Sequence, residues 1–191
     1  MHSPDRQELP GADLLRLARS SIEHGLIHGE PLPIDYNELH RALAEPAATF
    51  TTVLSEGKLR GCCGTLKAEH PLATDVSRSA FNAAFRDPRF DPLVEDELGA
   101  VRLDVSVLSP LESMTVTDEA DLLDQLMPGT DGLVIIEDFR CATFLPKVWE
   151  SLPDPHRFLA QLKVKCGLPV DYWSEHLKFQ RYRTTLYAES D

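Results

Sequence analysis

Positive charge is scarce in this sequence. Nineteen Lys and Arg stand against 31 Asp and Glu, a formal net charge of −12. So acidic a chain repels a phosphate backbone, which argues against a nucleic-acid binder and against attachment to an anionic membrane. A small anionic ligand stays open, because a local basic cluster overrides net charge. Long apolar runs are missing too. No window approaches the roughly 18 residues of a membrane span. The opening stretch from Met1 to Gly11 lacks the apolar core of a signal peptide, so the expectation is a cytoplasmic protein with a short flexible tail over residues 1–11. Cysteines number four, Cys62, Cys63, Cys141 and Cys166, with no CxxC pair among them. That spacing argues against zinc, and a cytoplasmic chain argues against a disulfide framework. The Walker loop, GxGxxG, GxSxG and HExxH are all absent, so no cofactor and no metal is implied.

What remains is ordinary globular material: 191 residues, 42% hydrophobic and 26% charged. That length suits one domain, or two small lobes sharing a core. Leu15, Ala18, Ile22 and Leu26 mark one face of a helix from about Ala12 to Ile27. A shorter helix is expected from Tyr36 to Ala44. Thr49–Leu54 and Leu59–Leu66, joined by Ser55-Glu56-Gly57-Lys58, read as a β-hairpin. A helix with small residues on one side follows, beginning between Pro71 and Asp75 and ending near Asp87-Pro88. Residues 86–100 read as a loop with one helical turn. Val101–Val107 alternates, with Val101, Leu103, Val105 and Val107 inward and Arg102, Asp104 and Ser106 outward. A short helix is expected over Asp118–Leu126, then strands Gly132–Glu137 and Arg140–Leu145 about a tight turn near Asp138. The helix from Asp154 to Cys166 has Asp154 as N-cap, Pro155 at N1 and Gly167 just past its end. Leu177–Ala188 is strand-like, its alternation broken near Arg181–Arg183. Hairpins mixed with helices, without regular βαβ units, predict an α+β fold: an antiparallel β-sheet core flanked by helices. No boundary is strong enough to cut residues 12–188 into independent domains.

Two segments could carry chemistry. In Leu59-Arg60-Gly61-Cys62-Cys63-Gly64-Thr65, strand alternation puts Arg60, Cys62 and Gly64 on one face and Gly61, Cys63 and Thr65 on the other. Arg60 is then placed to stabilise a Cys62 thiolate. The flanking glycines suggest close approach of another group to the backbone. The plainer alternative is that cysteine here is a small buried hydrophobe. Cys63 fits that alternative better than Cys62 does. Cys166, at the end of an apolar stripe, reads as core. Cys141 is undecided, with a structural role the better fit. The second segment is Arg86-Asp87-Pro88-Arg89-Phe90. It is either an arginine clamp for carboxylate or phosphate, or a helix end finished by positive charge, with Asp87 pairing one Arg. His24 and His28 lie one helical turn apart with nothing nearby to complete a metal site. Glu69-His70 reads as a helix-capping segment, and Glu95-Asp96-Glu97 as a solvated acidic turn.

The run LRGCCGTL resembles the hallmark of the AMMECR-type domain family. So do AAFRDPRFDPL, DVSVLSPL, DGLVIIE, the segment from Ala142 to Trp173 and the late RYRT. The resemblance spans about residues 12–188 and is nearest to the family's bacterial form. It implies a fold with a larger and a smaller lobe, and a cleft lined by the face that carries the RGC run. It also implies association with a Memo-like protein and a radical SAM protein. The family's signature positions fall here on Arg60, Gly61, Cys62 and Gly64, then Arg86, Asp87, Arg89 and Phe90. Cys63 departs from the usual aliphatic residue. Two functions follow as expectations. In one, Cys62 is the nucleophile of a hydrolase or lyase, activated by Arg60, with Gly61, Gly64, Arg86, Asp87 and Arg89 binding a small anionic substrate. In the other, the chain is a non-catalytic binding module that serves the two partners.

Overall fold

The computed structural model describes residues 11–37 and 39–190. Its elements fall into two compact units. The first takes the chain through Leu108 and again from Thr185; the second is Ser109–Thr184. The expected tail lies almost wholly outside the described residues.

In the first unit, helix α1 (Gly11–His28) and helix α2 (Leu72–Phe85) pack together. Strands β1 (Thr49–Ser55), β2 (Lys58–Gly64), β3 (Val101–Leu108) and β8 (Thr184–Ala188) form a sheet in the order β2-β1-β3-β8. β1 pairs antiparallel with both β2 and β3. β2 is therefore an edge strand, and its outward N–H groups need partners other than a neighbouring strand. One sheet face, with Val53, Leu103 and Val105, packs with Leu14, Ile22, Val76 and Ala80 in one core cluster. The small residues read along α2 include Ala80, Ala83 and Ala84, all buried in that cluster.

The second unit has its own core and its own sheet, in the order β4 (Glu112–Met114), β7 (Lys178–Tyr182), β5 (Gly132–Glu137), β6 (Arg140–Phe144). Helices α3 (Glu119–Gln125) and α4 (Pro155–Lys165) complete it. The α4 cap works as the sequence suggests, and α3 has a cap of the same kind. Asp118 accepts the Asp121 N–H, and Asp154 accepts the Arg157 N–H. Asp138 takes φ 52° at the β5–β6 turn, and Gly167 takes φ 75° beyond α4. The fold is α+β, and every strand pairing described is antiparallel. Among the described residues, no helix is long and apolar enough to cross a membrane.

Three local expectations need correction. No α-helix spans Tyr36–Ala44. The Asp35 carboxylate captures the Asn37 backbone N–H in a local turn, and only a 3-10 turn at Arg41–Ala44 follows; such side-chain capture competes with helix. Residue 38 lies outside the described residues. Next, β3 does not alternate throughout, because Asp104 is buried like its neighbours. Finally, Leu177–Ala188 is two strands in two sheets, broken at Arg183 where the chain passes between units.

Candidate functional site

The site grows from the edge of β2. Helix α2 ends at Phe85, and Arg86 caps it, donating its N–H to the Asn82 carbonyl. Pro88 then pushes Asp87 away from helical geometry. The Asp87 side chain turns inward and is almost fully buried. Its Oδ2 accepts the Cys62 N–H of the edge strand at 2.9 Å. The same carboxylate accepts the Arg89 N–H at 3.1 Å, Nε at 2.9 Å and Nη2 at 2.6 Å. These bonds, led by the one from Arg89, hold the Asp87 carboxyl down at about 2. Arg89 is raised in turn by Asp87, with smaller pulls from the nearby Cys62 and Cys63 sulfurs. One buried carboxylate thus fixes both the backbone of Cys62 and an arginine beside its thiol.

Arg60 does not spend its charge on Cys62. Its Nε and Nη2 donate to the two carboxylate oxygens of Glu97 at 2.8 and 3.0 Å. The hydrogen bond with Glu97 raises the Arg60 pKa, and that with Arg60 lowers the Glu97 pKa. Glu97 is therefore not part of a solvated acidic turn but the partner that aims Arg60. This leaves Arg60 Nη1 buried and without a hydrogen bond. The Arg60 and Arg89 guanidinium carbons lie 6.0 and 5.5 Å from the centroid of the Phe90 ring. Together with Pro88 and Asp91 these three residues line a recess of about 420 Å³. Cys62 stands beside that recess and does not line it. Its sulfur accepts from the Thr52 hydroxyl at 3.5 Å. Across the sheet, Cys62 registers with Thr52, and Thr52 with buried Asp104, so the three share one face.

The structure separates the other residues of the expected set. Arg86 is exposed, its guanidinium 5.0 Å from the Phe81 ring at the helix end, and it lines none of the recess. Gly61 and Gly64 do meet close neighbours, but these belong to the chain itself. A Cβ on Gly61 would sit 2.0 Å from the Ala83 carbonyl oxygen, and one on Gly64 2.2 Å from that of Thr49. Cys63 faces the core, and burial pushes its thiol pKa up. Cys166 is buried and Cys141 exposed. Glu69-His70 does not cap α2, whose N-cap is Pro71 with no side-chain cap bond, and Arg78 Nη1 lies 2.7 Å from His70 Nε2. Among the described residues, no three His, Cys, Asp or Glu side chains gather so as to hold a metal ion.

Sequence reasoning missed Glu97, Thr52 and Asp104. Glu97 reaches Arg60 over 37 positions, which no local pattern could register. Thr52 and Asp104 sit on strands where a polar residue reads simply as the solvent side.

The same architecture recurs in other proteins. The crystal structure of protein PH0010 from Pyrococcus horikoshii superposes with a TM-score of 0.88 at 30% identity, over 94% of this chain and 91% of that one. Protein NEQ441 of Nanoarchaeum equitans is 34% identical, over 84% of this chain and 89% of its own length. Protein MJ0810 of Methanocaldococcus jannaschii is 32% identical, over 94% of this chain and 90% of its own. The AMMECR1 family model matches residues 15–187, which include both the β2 edge and the arginine recess beside it. With nearly the whole chain matched, the protein belongs to the AMMECR1 family.

Proposed function

We propose that the β2 edge is a cysteine-dependent site for a small anionic metabolite, with Arg60 and Arg89 as the anion clamp and Cys62 as the nucleophile. The observation that supports this most is the bridge made by Asp87, which ties the Cys62 backbone to Arg89. Two guanidiniums on one recess suit a carboxylate or phosphate. In this reading the charge beside the thiol comes from Arg89, and Arg60 serves the substrate. Arg86 is left out of the clamp. The reaction class is acyl hydrolysis. The Cys62 sulfur forms a bond to the substrate's carbonyl carbon, and the leaving group departs with the thiol proton. Water then cleaves the thioester and returns the proton to sulfur.

In the same reading the chain is cytoplasmic and corresponds to the bacterial form of the family, protein A of an AmmeMemoRadiSam system. A Memo-like protein and a radical SAM protein are its partners. The LRGCCGTL resemblance supports this part.

The test is protection of Cys62 from iodoacetamide by inorganic phosphate and by malonate, read by peptide mass spectrometry that resolves Cys62 from Cys63. Either anion should slow Cys62 alkylation saturably, about fivefold or more. Arg60→Ala and Arg89→Gln should each remove the protection. Absence of protection in the native chain defeats the clamp. Protection of a thiol no faster than a free cysteine peptide removes the nucleophile and leaves a binding module for the partners.

A further inference from the structure

The opposite face of β2 carries a second recess, of about 190 Å³. That is roughly the liquid volume of six waters, the scale of a small amino acid. Asp75, Ser79, Thr65 and Cys63 are in its lining, with Arg78 and Lys67 exposed around it.

Asp75 is the unusual member. It projects from the first turn of α2 into the sheet side and is 2% exposed. Thr49 donates to its Oδ2 twice, from N at 2.8 Å and Oγ1 at 2.6 Å, and Thr65 Oγ1 donates to Oδ1 at 3.0 Å. All three of these bonds are donated to the carboxylate oxygens. Yet none of the ion pairs among the described residues includes Asp75. A buried carboxylate ordinarily has a cation or a full set of donors. Here Oδ1 has one donor, and Asp75 is among the residues that line the recess. The other charges of the lining are Arg78, Lys67 and Glu69. Arg78 Nη1 lies 2.7 Å from His70 Nε2 at the rim of the same recess. Two cations thus face two carboxylates around one cavity. A ligand of a single sign meets as much repulsion as attraction there, whereas one carrying both signs can satisfy the buried acid and the exposed bases together.

We propose that this recess is a second binding site, separate from the Cys62 edge, and that it takes a small zwitterionic amino acid. The ligand ammonium lies on Asp75, within reach of the Ser79 hydroxyl. The carboxylate lies outward on Arg78 and Lys67. Cys63, a half-buried thiol whose pKa burial pushes up, forms part of the wall and does no chemistry.

Isothermal titration calorimetry on the full chain tests this. The probes are glycine, L-alanine, L-serine and β-alanine, with methylamine and acetate as the two half-charges. At least one zwitterion should bind about tenfold or more tightly than either half, since each charge-assisted contact contributes on that scale. Asp75→Asn should abolish that binding. Because Asp75 also holds Thr49 and Thr65, the exposed Arg78→Gln gives the second reading: amino-acid affinity should fall about fivefold or more while methylamine is unaffected. The site is overturned if no zwitterion gives saturable heat by about 10 mM. It is overturned equally if acetate binds as tightly as the amino acid, or if Arg78→Gln leaves amino-acid affinity unchanged.

Discussion

Cys62 and Cys63 are adjacent in sequence, yet the two faces of β2 give them opposite surroundings. On the Cys62 face, the edge of the sheet meets Asp87, Arg89 and a recess with two arginines. On the Cys63 face, β2 lies under α2, so closely that Gly61 has no room for a methyl group beside the Ala83 carbonyl. One face holds paired charges near the surface; the other holds a polar cluster in the interior. The lesson is that an edge strand can carry two chemistries at neighbouring positions, because alternation separates them by the thickness of the sheet.

The comparison breaks most readily at Gly61. Gly61→Ala should force α2 away from the sheet and lower stability by about 3 kcal/mol or more. Urea denaturation checks it, and a loss below about 1 kcal/mol would show that α2 accommodates the methyl group without cost. Next comes Asp87. Its carboxyl is held at about 2, below its ordinary 3.8, so the ionised form is favoured in the fold. The stability it supplies is present above about pH 4 and is lost as pH falls toward 2. Asp87→Asn should cost about 1–2 kcal/mol at neutral pH, a range reduced because Arg89 is half exposed. It should also flatten acid denaturation between pH 4 and pH 2. An unchanged acid limb would mean that the Asp87–Arg89 pair is screened away in solution.

The two thiols sharpen the contrast directly. At neutral pH, Cys62 should be alkylated about tenfold faster than Cys63, whose thiol burial holds up in pKa. Equal rates would remove the distinction between the faces. Smallest is the effect of Thr52→Val, which deletes the hydroxyl that donates to the Cys62 sulfur. Cys62 alkylation should slow by about two- to threefold, the scale of one weak hydrogen bond. Peptide mass spectrometry reads both, and a faster Cys62 in the variant would contradict the donor role.

Local chemistry made much of the fold legible. Periodicity marked α1, α2 and α4, Asp154 and Gly167 bounded α4, and the turn at Ser55–Lys58 marked the hairpin. Those signals act within a few residues, so one chain segment contains them whole. The failed Tyr36–Ala44 helix shows the limit even at short range, because an Asp35 side chain outcompeted the pattern.

Alternation along β2 was legible for Cys63, which packs on the core, but the register with β1 shifts between Val53 and Leu54 and leaves Arg60 without a cross-strand partner, so regular alternation stops short of Arg60. What sequence could not supply was the partner of each charge. Arg60 reads as the neighbour of a thiol until Glu97 arrives from 37 residues away. Asp87 reads as the end of a helix until it meets the Cys62 N–H on β2, an edge strand of the sheet. Asp75 reads as an ordinary first-turn acid until α2 lies on the sheet and buries it against Thr49. Sequence determined which residues share a face where a strand stays regular, since an extended backbone alternates its side chains, but the register shift beside Arg60 came only with the pairing of β1 and β2. Only the tertiary structure decided which charges meet, since strand order and helix placement set those distances.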